Sequence, residues 1–353
     1  GPGEWEAIAS ADRSLITGPV HIAQSTVEQM SLLDSTAERL ARAVEFTADV
    51  TAPDGRIVQF GDNDGGRLLK FSPYFEVLSA REAVERFETL GERVSETEGD
   101  YLFEDLRDQG HIAALGAALL ELPLAAAMAP RHDATRMVSA ALSGGAVVPV
   151  SDSLPSSGIS AAAESPARAN ECTWALNAEG GDIRDGLVLS VYSDFGLFLW
   201  RSPRLYLAIR CGSVGQNGES GHAHSDQLAM EIWLDGEPIV RDPGTGTYSA
   251  DPSVRDAYRS AGAHHTPRIG SQEPGRFETL FQIADAVPGI CVRCDGEGFL
   301  GYHDGYGTRV WREVLIDANE VRVIDWAEDG SRVSTLDSPQ PFSPSYGIIE
   351  RGS

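Results

Sequence analysis

The stretch "QLAMEIWLDGEPIVRD", residues 227–242, decides the fold. Two apolar runs flank Asp235-Gly236, and an Asp-Gly pair between such runs is the signature of a tight β-hairpin, whose turn positions need positive φ. The same reading extends in both directions. Upstream, "GLVLSVYS" (186–193), "GLFLWRS" (196–202) and "RLYLAIRCG" (204–212) are short β-branched and aromatic runs separated by turn residues. Downstream, "TRVWREVLIDANEVRVIDW" (308–326) reads as a second hairpin turning at Ala318-Asn319. No helix-length pattern separates these runs, so the sheet is expected to be antiparallel.

Further upstream the period changes. Val27, Met30, Leu33, Ala37, Leu40, Ala41 and Val44 recur at helical spacing, and Ser25 and Glu28 have the spacing of a capping box before them. "ADVTAPDGRIVQFGDNDGGRLL" (48–69) interrupts this pattern with Pro53-Asp54-Gly55 and a glycine-rich end, after which helical composition resumes at about 74–92 and 102–130. Residues 143–170 are small, Ser- and Pro-rich and aperiodic, as in a linker or long loop. The expected organisation is α+β and multidomain: a helical part over 1–142, a linker over 143–170 and an antiparallel β domain over 171–353, without internal repeats.

Composition narrows the function classes. The 28 Lys and Arg against 53 Asp and Glu give a net charge of −25, which disfavours nucleic acid and anionic membranes as partners. No apolar run reaches the roughly 20 residues needed to span a bilayer; the longest, 111–130, carries His111 and Glu121 and suits a buried helix or helix pair. Four cysteines are too few for a disulfide scaffold, and "CVRC" (291–294) is a single CxxC without a second pair, best read as structural or incidental thiols. The opening Gly1-Pro2-Gly3 resembles the remnant of a cleaved tag, so a targeting segment is not expected to be visible. A homo-oligomer is compatible with the sequence.

Half of the eight histidines fall within the forty-odd residues after Gly221, together with Asp226, Asp242, Tyr248, Arg255, Tyr258 and Arg259. In "GHAHSDQL" (221–228), His222 and His224 are two apart and would project to one side of an extended backbone. Imidazoles with a carboxylate suit a divalent transition ion; satisfied polar residues in loops are the competing reading. On a straight strand His224 would lie about 15–20 Å from Asp242, so a shared site requires "GQNGESGHAHS" (215–225) to curl back over the hairpin. Asp62 and Asp64 alternate as in a calcium loop but lack the remaining ligands, and the segment reads as a turn-forming loop at a domain junction or cleft rim.

The ordered pattern G-H-x-H-x-D, a strand pair, D-P-G-T, a Tyr/Arg-rich segment and A-H-x-T, running over "GESGHAHSDQLAMEIWLDGEPIVRDPGTGTYSADPSVRDAYRSAGAHHT", resembles the core of the heparinase II/III-like polysaccharide lyases. "PDGRIVQFGDNDGGRLL" resembles that family's loop at the end of its helical toroid, so the similarity spans roughly residues 25–330. It implies the last part of an α/α toroid followed by an antiparallel β-sandwich, β-elimination on uronic-acid-containing polysaccharide, and, weakly, a periplasmic or secreted location. It also implies zinc held by His224, Asp242 and His264, with His222 facing the cleft; His265 stands where the family more often has asparagine.

Elimination beside a uronate needs its carboxylate neutralised, the C5 proton removed and the leaving O4 protonated. Arg255, Arg259 and Arg67 are the candidate cations, and His222, Tyr248 and Tyr258 the candidate base and acid. Zinc is expected to order the loops carrying these groups. A zinc hydrolase and a non-catalytic carbohydrate-binding or structural protein are the rival readings. The strong acidity leans away from highly sulfated chains.

Overall fold

Both expected hairpins form, and each lies in its own sheet. The computed structural model describes residues 27–63, 75–88, 99–120, 132–142, 169–215, 222–335 and 339–351. Ser25, Asp64, Arg67, nearly all of the 143–170 linker and residues 216–221 of the expected curl lie outside them.

The N-terminal part comprises α1 (Val27–Asp49), β1 (Glu76–Ser79), α2 (Ala80–Arg86), β2 (Asp100–Phe103), α3 (Gly110–Leu120) and α4 (Asp133–Leu142). The end of the α1 stripe is buried, Ala41 and Val44 packing against Ala113 and Leu120 of α3, whereas Leu40 of the expected stripe is exposed. Gly116 permits the approach, since a Cβ there would come within 2.4 Å of Val44 Cγ1. The all-α expectation needs correction, however. Residues 76–79 and 100–103 pair as two antiparallel strands, Val77 opposite Leu102. Four-residue strands are too short to declare their period, and Ser79, which caps α2 in a capping box with Glu82, begins the helix only after β1 has ended.

Two five-stranded antiparallel sheets follow. The first has the order β4-β5-β6-β7-β8, with β4 (Val188–Tyr192), β5 (Leu197–Arg201), β6 (Leu205–Arg210), β7 (Met230–Leu234) and β8 (Glu237–Val240). Leu234 pairs with Glu237, and Asp235 and Gly236 between them have φ of 51° and 84°, the turn expected from Asp-Gly. After α5 (Pro252–Arg259), β9 (Pro267–Ile269), β10 (Arg276–Thr279) and β11 (Gln282–Ala284) come β12 (Ile290–Asp295), β13 (Gly298–His303), β14 (Val310–Ile316) and β15 (Glu320–Ala327), then β16 (Val333–Thr335). The second sheet has the order β12-β13-β14-β15-β3, its last strand β3 (Asn170–Ala175) arriving from earlier in the chain.

The sheets face each other across one core, in which Trp200, Leu207 and Ile232 of the first meet Phe299, Val314 and Val323 of the second. In β6, Leu205, Leu207 and Ile209 point inward, while Tyr206 and Ala208 meet Val50, Ala52 and Val58 of the loop after α1. Burial on both faces explains why "LYLAIR" is continuously apolar instead of alternating. The Asp49 side chain accepts the Tyr192 hydroxyl at 2.8 Å, and its backbone carbonyl accepts the Tyr206 hydroxyl at 3.0 Å, fixing the end of α1 to this sheet. That seam carries the 51–63 loop to the end of β7, where the histidines lie.

Candidate functional site

The curl expected over 215–225 lies largely outside the described residues, and a bend is found after it, at residues 225–229. Ser225 donates its amide to the Arg259 carbonyl, Ala229 to Asp226, and Leu228 adopts φ of 62°. A leucine in the left-handed region is costly. Its side chain is fully buried in the core, and its amide donates to the Arg210 carbonyl at 2.8 Å, which offsets the strain. His224 is thereby folded under the sheet end instead of continuing β7.

His224 and His264 lie with ring centroids 4.9 Å apart, both fully enclosed. Each imidazole has one nitrogen against a carboxylate. Nε2 of His224 is 2.7 Å from Asp62 Oδ1, and Nδ1 of His264 is 2.6 Å from Asp242 Oδ2. Their other nitrogens, His224 Nδ1 and His264 Nε2, are buried without a hydrogen-bond partner. Burial pushes the His224 pKa down, overriding Asp62, so a neutral ring is favoured. For His264 burial acts the same way, but the charge and hydrogen bond of Asp242, aided by Asp226 and Glu273, outweigh it and raise its pKa.

Asp62 is the hub of the cluster. Arg255 grips it with two guanidinium nitrogens, Nη2 to Oδ2 at 2.8 Å, and both side chains are wholly buried. Burial would raise the Asp62 pKa, yet the hydrogen bonds and charges of His224 and Arg255 prevail and lower it. The approach of the loop depends on Gly61: it has φ of 68°, and a Cβ there would lie 2.5 Å from the His222 carbonyl oxygen, which accepts the Asp62 amide at 3.0 Å. Asn63 donates its amide to Thr245 Oγ1 at 2.7 Å.

His222, two residues before the buried ring, is the accessible one, its side chain 51 % exposed. Its Nδ1 lies 3.4 Å from the Tyr248 hydroxyl and 3.3 Å from Asp62 Oδ2. Tyr248 stacks at 4.3 Å on Tyr346 and meets Phe281 edge-on at 5.7 Å. Both of those rings are exposed. An imidazole and a phenol therefore meet at an open aromatic surface above a dry layer of histidines and carboxylates.

Other expected site residues are placed differently. Arg255 and Arg259, read as cations facing substrate, are interior: one is committed to Asp62, the other pairs with Asp256 at 2.8 Å and covers the Phe277 ring. Tyr258 is also interior, its hydroxyl donating to the Pro341 carbonyl at 2.6 Å, which removes it from the His222 surface. The pattern behind all three is α5: Arg255, Tyr258 and Arg259 form its inward face. His264, not His265, meets Asp242; His265 has φ of 46° and turns Nε2 to the Arg241 carbonyl.

Three contributors have roles that the sequence does not reveal. Asp62 belongs to a segment that reads as a turn-forming loop. Glu231, on β7, accepts the Gln59 amide at 3.0 Å, and burial pushes its carboxyl up to about 7. Arg312 pairs with Asp325 in the second sheet and also donates to the carbonyls of Leu228 and His265, tying together the two loops that carry His224 and His264. The first two needed long-range contacts to be seen; the Arg312–Asp325 pairing was implicit in the hairpin register.

The donor types suit a zinc ion. Two ligands about 2.1 Å from zinc in tetrahedral geometry stand roughly 3.3 Å apart, so His264 Nδ1 and Asp242 Oδ2, at 2.6 Å, are at hydrogen-bond spacing and would separate by under about 1 Å to share one. Among the described residues no group of three His, Cys, Asp or Glu side chains is already spread to metal-holding distances. The unpartnered Nδ1 of His224 is the further donor of the expected set.

A two-sheet antiparallel domain with a histidine–carboxylate cluster at one sheet end thus defines the class. Residues 185–332 match the family model described as heparinase II/III-like, C-terminal. Among solved structures, the chain is similar to heparinase III, the BT4657 gene product, at 12 % identity over 80 % of this chain and 31 % of that one, with a TM-score of 0.39. It is also similar to the heparan sulfate lyase HepC from Pedobacter heparinus, at 19 % identity over 40 % of this chain and 22 % of that one, with a TM-score of 0.29. The chain therefore spans less than a third of the length of these structures. No curated protein matches it in sequence. No helix among the described residues is long and apolar enough to cross a membrane.

Proposed function

We propose that this chain carries the C-terminal site of a polysaccharide lyase that cleaves a uronic-acid-containing polysaccharide, of the glycosaminoglycan class its family domain implies, by β-elimination. The observation that carries the reading is the pairing of exposed His222 with Tyr248 at 3.4 Å, directly over the buried His224–Asp62–Arg255 layer. His222 takes the C5 proton and the Tyr248 hydroxyl delivers one to the departing O4, each within reach of the same sugar linkage. Asp62 Oδ2 lies 3.3 Å from Nδ1 of His222 and holds the orientation of its ring. With Arg255 and Arg259 turned inward, Arg67 of the same loop as Asp62 is the proposed partner of the substrate carboxylate. The N-terminal helices belong, on this reading, to the end of an α/α toroid.

His224, Asp242 and His264 are the proposed zinc ligands, and the ion supplies positive charge that fastens the loops bearing His222 and Tyr248. The test is incubation with uronate polymers. A rise in ultraviolet absorbance from the new double bond, lost in His222→Ala, supports elimination; reducing ends released without that absorbance overturn it in favour of hydrolysis. Metal analysis tests the ion separately: one zinc per chain is expected, lost in His264→Ala, and a metal-free native chain refutes the ligand set.

A further inference from the structure

The CxxC of 291–294 reads from sequence as structural or incidental thiols, but the sheet brings its two cysteines together. In a regular strand, residues three apart point to opposite faces and stand about 10 Å apart. Strand β12 is not regular here. Cys291 is opposite Gly301, Arg293 opposite Leu300 and Cys294 opposite Phe299, so Val292 is the extra residue of a β-bulge. The two cysteines therefore face residues only two apart on β13. That puts both on the same face and brings their Cα atoms to about 6.6 Å along the strand, at the upper end of the roughly 4.4–6.8 Å that disulfides span.

The side chains use this proximity. The Cys291 thiol donates to the Arg293 carbonyl at 3.6 Å, and the two thiols lie close enough to perturb each other's ionisation. Cys294 is fully buried in the core between the sheets, while Cys291 packs at its margin and is partly exposed. A third sulfur lies nearby: Cys211 is in the same core cluster, and a Cβ on Gly289, the residue before β12, would come within 3.0 Å of its Sγ. Strand β12 is the edge of its sheet, so the bulge is unrestrained on one side.

We infer that Cys291 and Cys294 form a dithiol site that closes to an intramolecular disulfide by exchange with a low-molecular-weight disulfide such as oxidised glutathione. The partly exposed Cys291 thiolate attacks one sulfur of that molecule, forming a mixed disulfide and releasing one thiolate. Cys294, after giving up its proton, attacks Cys291 Sγ and expels the second. The protein dithiol is oxidised by two electrons and the small disulfide is reduced to two thiols. The proximity of the two thiols lowers the Cys291 pKa and raises that of Cys294, and burial raises Cys294 further, which fits the order of attack.

The test uses the full chain in an oxidised glutathione buffer, followed by alkylation under denaturing conditions and tryptic mapping. Alkylatable thiols are expected to fall from four to two. Trypsin cuts after Arg293, between the two cysteines, so the flanking peptides should stay joined until a reductant is added. Cys294→Ser should stop at a glutathione adduct on Cys291. Recovery of both cysteines alkylated, or of Cys211 joined to Cys291 or Cys294 as the main product, overturns the assignment. So does a Cys294→Ser chain without an adduct.

Discussion

Two buried arginine–carboxylate pairs lie close to the candidate site, and they are assembled from very different lengths of chain. Arg312 and Asp325 are 13 residues apart, directly opposite each other on β14 and β15. Arg255 and Asp62 are 193 residues apart and join the loop after α1 to helix α5. Both carboxylates receive a two-nitrogen grip, and all four side chains are fully buried. The local pair follows from the turn that fixes the hairpin register. The distant pair exists only once the seam around Asp49 has brought the 51–63 loop to the sheet, so it reports on the assembly of the two parts of the molecule. Spare donors on Arg312 hold backbone, whereas the same two Asp62 oxygens that accept from Arg255 also meet His224 and His222.

Breaking the distant pair should have the largest effect. Asp62→Asn leaves the Arg255 charge buried without a counter-ion, and a loss of about 3–5 kcal/mol is expected in denaturant unfolding, together with loss of elimination activity. Asp62→Leu combined with Arg255→Met should recover most of the stability but none of the activity, because the His224 and His222 contacts go with the carboxylate. Recovery of activity in the double variant would show that Asp62 serves only to neutralise Arg255.

A third buried carboxylate, Glu231, sharpens the contrast because no arginine among the described residues forms an ion pair with it. Burial raises its pKa to about 7, with the Gln59 amide, Arg107 and Arg241 pulling the other way and Asp242 adding to the rise. The folded state therefore holds its proton more tightly than the unfolded chain, at about 4.3. The resulting stability is fully present below about pH 4 and lost as pH rises through 7. Glu231→Gln should remove that slope, making the variant more stable than the parent by about 1–3 kcal/mol at pH 8. Unchanged pH dependence of unfolding would mean that Glu231 stays ionised in the fold.

Replacing the local pair as a unit, Arg312→Met with Asp325→Leu, should cost less, within about 2 kcal/mol. Activity should nevertheless fall, because the Leu228 and His265 carbonyls lose their shared donor. Retained activity would show that the two loops hold their positions without Arg312. The smallest stability effect is expected for His222→Ala. Its half-exposed ring should contribute within about 0.5 kcal/mol, while turnover drops by about 10²-fold or more. A variant that unfolds early would reassign His222 to structure.

Sequence and structure agree where the physics is local. The β7–β8 turn follows from the positive φ demanded at Asp235 and Gly236, and the β14–β15 register from its turn at Ala318-Asn319. Continuous apolar runs marked β5 and β6 before their second covering layer was known. Local pattern failed at β1 and β2, which are four residues each and complete only when paired. It failed again at α5, where Arg255, Tyr258 and Arg259 share the inward face of a helix and so cannot meet a polysaccharide. Arg67 and residues 143–168 of the expected 143–170 linker lie outside the described residues, and Asn170, its last residue, begins β3.

By itself the sequence determined the order of helical and antiparallel parts, the two hairpin turns and the histidine-rich segment. Those are properties of neighbours along the chain, set by period, turn conformation and side-chain alternation. Tertiary structure alone decided that Leu228 bends the chain back, that Asp62 joins His224 to Arg255, and that His264 rather than His265 meets Asp242. A buried charge is stable only beside its counter-charge, and which distant residue supplies it depends on the three-dimensional closure of the whole core.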